Sequence, residues 1–172
     1  PATAGVHPHE ARIATEAVYD ELRGLARERR IVAIGEIGLD FHYDHSPRDV
    51  QREVFRRQIR LAREVGLPMV VHTREADGET ADILAQEGAA EAGGVIHCFT
   101  GGLDLARRAL DLGFLISFSG IVAFPRAEVI QQVAREVPAD RLLVETDAPF
   151  LAPPPHRGKR NEPAFVVDVA RK

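Results

Sequence analysis

Six short apolar runs rich in β-branched residues punctuate the chain at Ala2–Val6, Ile31–Ile34, Met69–Val71, Val95–Ile96, Phe114–Phe118 and Leu142–Val144. Between them lie polar, amphipathic stretches of helical character, His9–Arg29, Pro47–Val65, Ala76–Ala89, Leu103–Leu112 and Arg126–Glu136, and a last helix is expected from Glu162 onward. Strict alternation of strand and helix predicts a parallel sheet covered by helices, because consecutive parallel strands need a crossover of about a dozen residues or more. The stretch "SPRDVQREVFRRQIRLAREVG" carries boundary signals, with Ser46 as N-cap, Pro47 at the first helical position and Gly66 past the end. Val50, Val54, Ile59, Leu61 and Val65 recur along it at roughly helical spacing, which predicts one buried face.

Composition narrows the class. The 172 residues suit a single domain able to bury a core, and 45% apolar with 28% charged residues is ordinary for a soluble globular protein. A net charge of -4 argues against a broadly basic nucleic-acid binder while leaving room for a local basic patch. Cys98 is the one cysteine, so an internal disulfide is excluded and a reducing, cytoplasmic setting is expected. No apolar stretch approaches a membrane span, and no obligatory protein partner is indicated.

Residues at the end of each run carry the chemistry. The first run leads into His7 and His9, the second into Glu36 and Asp40, the third into His72 and the fourth into His97. The fifth supplies Ser117 and Ser119, and the sixth Glu145 and Asp147. In a parallel barrel the carboxyl ends of all strands share one face, where active sites are built. Taken singly, each residue has an ordinary reading: a histidine satisfied in the core, Glu36 paired with Arg74, Asp147 capping the turn before Pro149. Together, several ionisable groups buried side by side cost several kcal/mol apiece unless something neutralises them. Imidazole and carboxylate without thiolate is a ligand set for Zn²⁺, Mn²⁺, Mg²⁺ or Co²⁺ in a hydrolytic site.

The segments "GVHPHEA", "AIGEIGLDFHY", "VVHTREA", "HCFTGG", "SFSGIV" and "LLVETDAPFLAP…RGKRNEP" resemble, in order and along essentially the whole chain, the successive signatures of the TatD family of metal-dependent deoxyribonucleases. That resemblance implies an α/β fold of the TIM-like (β/α) barrel type, within the amidohydrolase-like superfamily, holding two divalent metal ions. The matching motifs correspond to about strands three to eight of eight, so residues 1–172 are expected to form a single, partial barrel domain. The family's first strand carries a His-x-His metal pair that this sequence lacks, and His7 and His9 belong to a later motif. By the same resemblance Glu36 bridges both ions, His72 and His97 hold one, and Asp147 holds the other while orienting the attacking water. His7 is implied to line the substrate phosphate site.

Charge explains the rest of the expected machinery. Phosphodiesters resist attack because their oxygens repel a nucleophile, and two metals roughly 3.5–4 Å apart neutralise those oxygens and activate water. A carboxylate such as Glu36 suits a bridge because it offers two oxygens. Glu145 is expected either as an acceptor behind the ligands or in an ordinary ion pair. Cys98, alternating with His97, is expected to face the helices. In the loop "PPPHRGKRNEP" prolines stiffen the approach, Arg157, Lys159 and Arg160 contact phosphates, and Asn161 fixes geometry, although a solvated surface turn is the ordinary reading of such a cluster. Arg74 is a further phosphate contact, and Phe41, Tyr43, Phe99 and Phe150 are the stacking surfaces available. The expected activity is exonucleolytic cleavage of DNA or other nucleic acid. A metal-dependent ester or amide hydrolase, such as an aminoacyl-RNA deacylase, and an inactive barrel remnant serving as a scaffold are the rivals.

Overall fold

Six parallel strands in the spatial order of the sequence, β1 to β6, form one sheet in the computed structural model, which describes residues 1–172. The strands are β1 (Ala2–Ala4), β2 (Ile31–Asp40), β3 (Met69–Arg74), β4 (Gly94–Ile96), β5 (Leu115–Phe118) and β6 (Leu142–Val144). Helices α1 (Glu16–Leu25), α2 (Arg48–Val65), α3 (Asp77–Gln86), α4 (Leu103–Asp111) and α5 (Glu128–Glu136) supply the crossovers, and α6 (Val166–Ala170) comes after β6. Each strand therefore pairs only with its neighbours in sequence, as in a singly wound barrel wall.

The principal core lies between the sheet and the helices. Ile34, Ile37, Leu39, Met69, Val71, Ile96 and Ile116 from the strands meet Phe55, Ile59, Leu84 and Ala106 from the helices, all essentially inaccessible to water. Burying each large side chain contributes about 1.5–3 kcal/mol, which offsets the cost of crowding charge at the strand ends. A smaller cluster of Val6, Ala11, Tyr19, Leu22, Val54 and Leu61 seats α1 on α2. No helix is long and apolar enough to cross a membrane.

Three boundaries differ from the sequence reading. The expected helix His9–Arg29 is split into a short 3-10 turn at Pro8–Ile13 and α1, whose N-cap residue is Thr15. Ser46 does not cap α2, which begins at Arg48 after an extended Pro47; the Ser46 hydroxyl donates instead to the His9 carbonyl (2.8 Å). Gly66 does end α2, in the left-handed conformation expected of a C-cap.

The third difference matters most. β2 does not stop at Ile34 but continues to Asp40, paired with β3 from Ile34↔Met69 to Asp40↔Arg74. Gly38 makes this possible, at φ 137°, where a Cβ would come within 1.9 Å of the His72 carbonyl oxygen. The ladder slips between Gly35 and Ile37, leaving Glu36 as the extra residue of a bulge. Bulges re-aim side chains. Glu36 is thus half-buried between Gly35 and Ile37, which are both buried.

Candidate metal centre

Helix α2 sets the position of the first half of the site. Two fully buried glutamines two turns apart, Gln51 and Gln58, reach from it to the backbone of strand ends. Gln51 Oε1 accepts from the Asp40 N–H (2.8 Å), while its Nε2 donates to the Asp40 and Ser46 carbonyls (3.0 and 2.8 Å). Gln58 holds Val6 in the same way, accepting from its N–H (2.6 Å) and donating to its carbonyl (2.9 Å). Backbone groups at strand ends that lack a ladder partner are satisfied this way. The consequence is that Asp40 and the residue before His7 are fixed to one rigid helix.

Around Glu36 Oε1 stand three imidazoles: His72 Nδ1 at 3.0 Å, His7 Nε2 at 3.5 Å and His97 Nε2 at 3.6 Å. His97 Nε2 is also 3.6 Å from Asp147 Oδ1. The expected ligands Glu36, His72, His97 and Asp147 therefore converge, from β2, the end of β3 and the segments after β4 and β6. Two compact donor groups result, one of His7, Glu36 and His72 and one of His97, Glu145 and Asp147, with the atoms of each within 4.8 Å of one another. His7 stands in the first group, in contact with Glu36.

Behind each central histidine lies a second carboxylate. His72 Nε2 is 3.0 Å from Asp40 Oδ2, and His97 Nδ1 is 2.7 Å from Glu145 Oε1. Asp40 is wholly buried, and its Oδ1 accepts from the N–H groups of His42 (3.1 Å) and Tyr43 (2.9 Å) while Oδ2 also faces His9 Nε2 (3.0 Å). Glu145 accepts from the Ser117 hydroxyl. A neutral imidazole has one N–H and cannot donate to carboxylates on both sides. A cation on the inner side resolves this, leaving the outer N–H to Asp40 or Glu145, which is the usual arrangement of a metal-ligating histidine. The donor set fits a divalent ion held by nitrogen and oxygen.

Electrostatics obey the same division. Burial pushes the Glu36 carboxyl up, but hydrogen bonds from His7 and His72 and the nearby His97 outweigh it and hold the group below the ordinary carboxylate range. In Asp40 burial is again outweighed, by the Tyr43 N–H and by His9 and His72, and the pKa falls to about 2. Burial and the Asp40 contact oppose each other at His9, and burial prevails, lowering it. His97 is raised because Glu145, Glu36 and Asp147 overcome its burial. Glu145 is lowered, its burial offset chiefly by His97. Asp147 alone among these carboxylates is raised, by burial and by the charges of Glu145 and Glu36 against the opposing pull of His97.

The loops contribute unequally. Lys159 and Arg160 are exposed, with no carboxylate partner. The Arg157 guanidinium lies over the Phe124 ring at 4.0 Å, and that of Arg74 lies over Tyr43 at 4.8 Å, so Arg74 does not pair with Glu36. Asn161 is only 2% exposed; its Nδ2 donates to the Thr146 and Phe150 carbonyls (2.6 and 2.5 Å), and its Oδ1 accepts from the Glu162 N–H (2.9 Å). Its amide is spent on locking the loop, so no donor is left for a phosphate. Phe41 and Phe99 are buried in the core and offer no stacking surface, leaving Tyr43 and Phe150.

Cys98 departs from the expected orientation. β4 ends at Ile96, and Cys98 adopts φ 44°, so strand alternation no longer decides where its side chain points. Its Sγ lies 3.2 Å from Ser119 Oγ, and burial first, then Asp147 and the other site carboxylates, push the thiol up to about 12. Gln51 and Gln58 acquired no role from the sequence, and Asp40 stood only among the residues at the strand ends. The glutamines did leave a signal, as polar residues seven apart on the apolar face of α2.

The TatD related DNase family model matches residues 1–172. The chain belongs to this family. It is 48% identical over 171 residues to YabD, an uncharacterized metal-dependent hydrolase of Bacillus subtilis (strain 168), covering 99% of this chain and 67% of that protein. It is 39% identical over 172 residues to the 3'-5' ssDNA/RNA exonuclease TatD of Klebsiella pneumoniae (strain 342), covering 97% of this chain and 65% of that protein. Among solved structures, YJJV, a TatD homolog from Escherichia coli K12, superposes with a TM-score of 0.90 at 31% identity, over 98% of this chain and 65% of that one. The chain thus spans about two thirds of the length of these relatives. Together these establish the TatD-like α/β barrel fold and membership of the TatD family.

Proposed function

We propose that this family member carries the centre of an exonuclease that cleaves phosphodiester bonds in single-stranded nucleic acid, DNA foremost, with two divalent cations. The convergence of three imidazoles and Asp147 about Glu36 supports this reading most directly, and the activity named for the Klebsiella relative agrees with it. Glu36, His72 and His97 would hold one cation, and Glu36 with Asp147 the other. When bound, the cations offset the charge of the phosphate and make water a better nucleophile.

The side chains do the rest. Asp40 and Glu145 orient His72 and His97 through their outer nitrogens. Asp147 accepts a proton from the attacking water as the new P–O bond forms; the P–O bond to the departing nucleotide breaks, and its oxygen takes a proton from solvent. His7, Arg74, Lys159 and Arg160 contact phosphate; Arg157 reaches it through the guanidinium edge left free beside Phe124.

Single-stranded DNA, single-stranded RNA and an aminoacyl ester, offered side by side with Mg²⁺, Mn²⁺, Zn²⁺ or Co²⁺, test this. Metal-dependent release of nucleotides, abolished by chelation and by Glu36→Gln, is expected. Turnover of the ester with both polynucleotides left intact would contradict it.

A further inference from the structure

The chain has eight phenylalanines, two tyrosines and no tryptophan. Of these aromatic residues only Tyr43 (51%) and Phe150 (68%) are exposed large apolar side chains, and both sit in loops just past site carboxylates, Asp40 and Asp147. Single exposed aromatic rings are common on protein surfaces; what distinguishes these two is their place beside the site carboxylates.

Tyr43 is rigidly mounted. Its N–H donates to Asp40 Oδ1 (2.9 Å), the carboxylate that faces His72. The Arg74 guanidinium lies over its ring at 4.8 Å, and the exposed His45 ring is parallel to it, at 5.6 Å between centroids and an interplanar angle of 5°. His9 meets both rings edge-on, at 5.5 Å from Tyr43 and 4.6 Å from His45, and itself lies 4.4 Å from His7. A row of rings thus runs from the metal centre to the rim.

We infer that Tyr43, with His45 and Arg74 beside it, is a stacking platform for one base of a single-stranded nucleic acid whose phosphate lies at the metal centre. The inference rests on the nucleic-acid reading above and adds to it a base subsite. A flat aromatic surface accepts any base, because every base has a π-face, whereas hydrogen-bond readout would select among them. The subsite therefore favours unpaired strands and is indifferent to sequence. Coupling through Asp40 places the platform and His72 on one rigid piece, so base stacking fixes the register of the phosphate.

The two tyrosines make the test direct. Biosynthetic 3-fluorotyrosine gives two fluorine NMR resonances, with the buried Tyr19 as internal reference. A phosphorothioate thymidine oligonucleotide, which resists hydrolysis, should move the Tyr43 resonance and leave that of Tyr19 in place. An abasic chain of the same length and linkages should bind without moving either. Tyr43→Leu should weaken the thymidine chain at least about fivefold, the low end for one stacked base, and Tyr43→Phe should restore it. Binding of the thymidine chain without a shift at Tyr43, or equal loss of both chains in Tyr43→Leu, would overturn the platform while sparing the nucleic-acid reading. If neither chain binds, both fall.

Discussion

The two halves of the metal centre are built differently. The half around His72 is tied down at every point: Asp40 accepts from two backbone N–H groups and faces two histidines, and Gln51 grips its backbone from both sides. The half around His97 stands on segments that have already left the sheet, with Cys98 at φ 44° and Asp147 at φ 57°. Its outer carboxylate, Glu145, meets one histidine, His97 at 2.7 Å, and the Ser117 hydroxyl, where Asp40 meets two histidines and two backbone N–H groups. The first half is held by more contacts than the second. Asp147, the proposed proton acceptor, belongs to the half with fewer supports.

The largest expected effect is in the half around His97. Asp147→Asn keeps the shape and removes the acceptor, and should lower metal-dependent hydrolysis about 10²–10⁴-fold with thermal stability unchanged or higher, since the raised pKa marks an ion that the fold disfavours. Steady-state rates and a thermal melt on the same preparation check it. Unaltered turnover would remove Asp147 from the reaction.

Next comes a paired comparison of supports. Gln51→Leu leaves the Asp40 N–H and carbonyl without their buried partner and should cost about 1–3 kcal/mol in urea unfolding. Ser117→Ala removes one hydroxyl from Glu145 and should cost about 1 kcal/mol or less while lowering the rate. Equal losses of stability would erase the proposed asymmetry.

Acid should separate the halves further. The Asp40 pKa of about 2 lies below its ordinary value of 3.8, so the stabilisation from its ionised form is fully present above about pH 4 and is lost as pH falls toward 2. Metal-free protein should therefore lose stability over that window more steeply than Asp40→Asn. Parallel pH profiles for the two proteins would show that Asp40 is not held as described.

The smallest effect concerns the loop. Lys159→Gln with Arg160→Gln should reduce the slope of log affinity against log salt for single-stranded DNA by about 1.4, two contacts at roughly 0.7 each. No change in slope would make this loop a solvated turn.

Strand–helix alternation was legible because a parallel sheet buried on both faces writes its strands as apolar runs. The convergence of Glu36, His72, His97 and Asp147 was legible because the strand ends of a parallel sheet share one face, although each residue alone has an ordinary structural reading. What stayed hidden depended on backbone irregularity or on long-range pairing. β2 ran past Gly35 and Gly38, which resemble strand breakers until the close approach to His72 is known. Cys98 obeyed its left-handed φ and not the alternation of β4. Asn161 resembled a surface donor, and only the folded loop reveals the carbonyls that consume its amide.

Glu36 is the point where the two halves meet, through His7 and His72 on one side and His97 on the other. Calorimetric titration of Mn²⁺ or Zn²⁺ into chelator-stripped protein, wild type beside Glu36→Gln, tests this most directly. The expected result is that every binding event seen in the wild type weakens at least about tenfold in Glu36→Gln while its circular dichroism spectrum is retained, as removal of a ligand shared by both halves requires. Unchanged affinity and stoichiometry in a folded Glu36→Gln protein would contradict the shared centre.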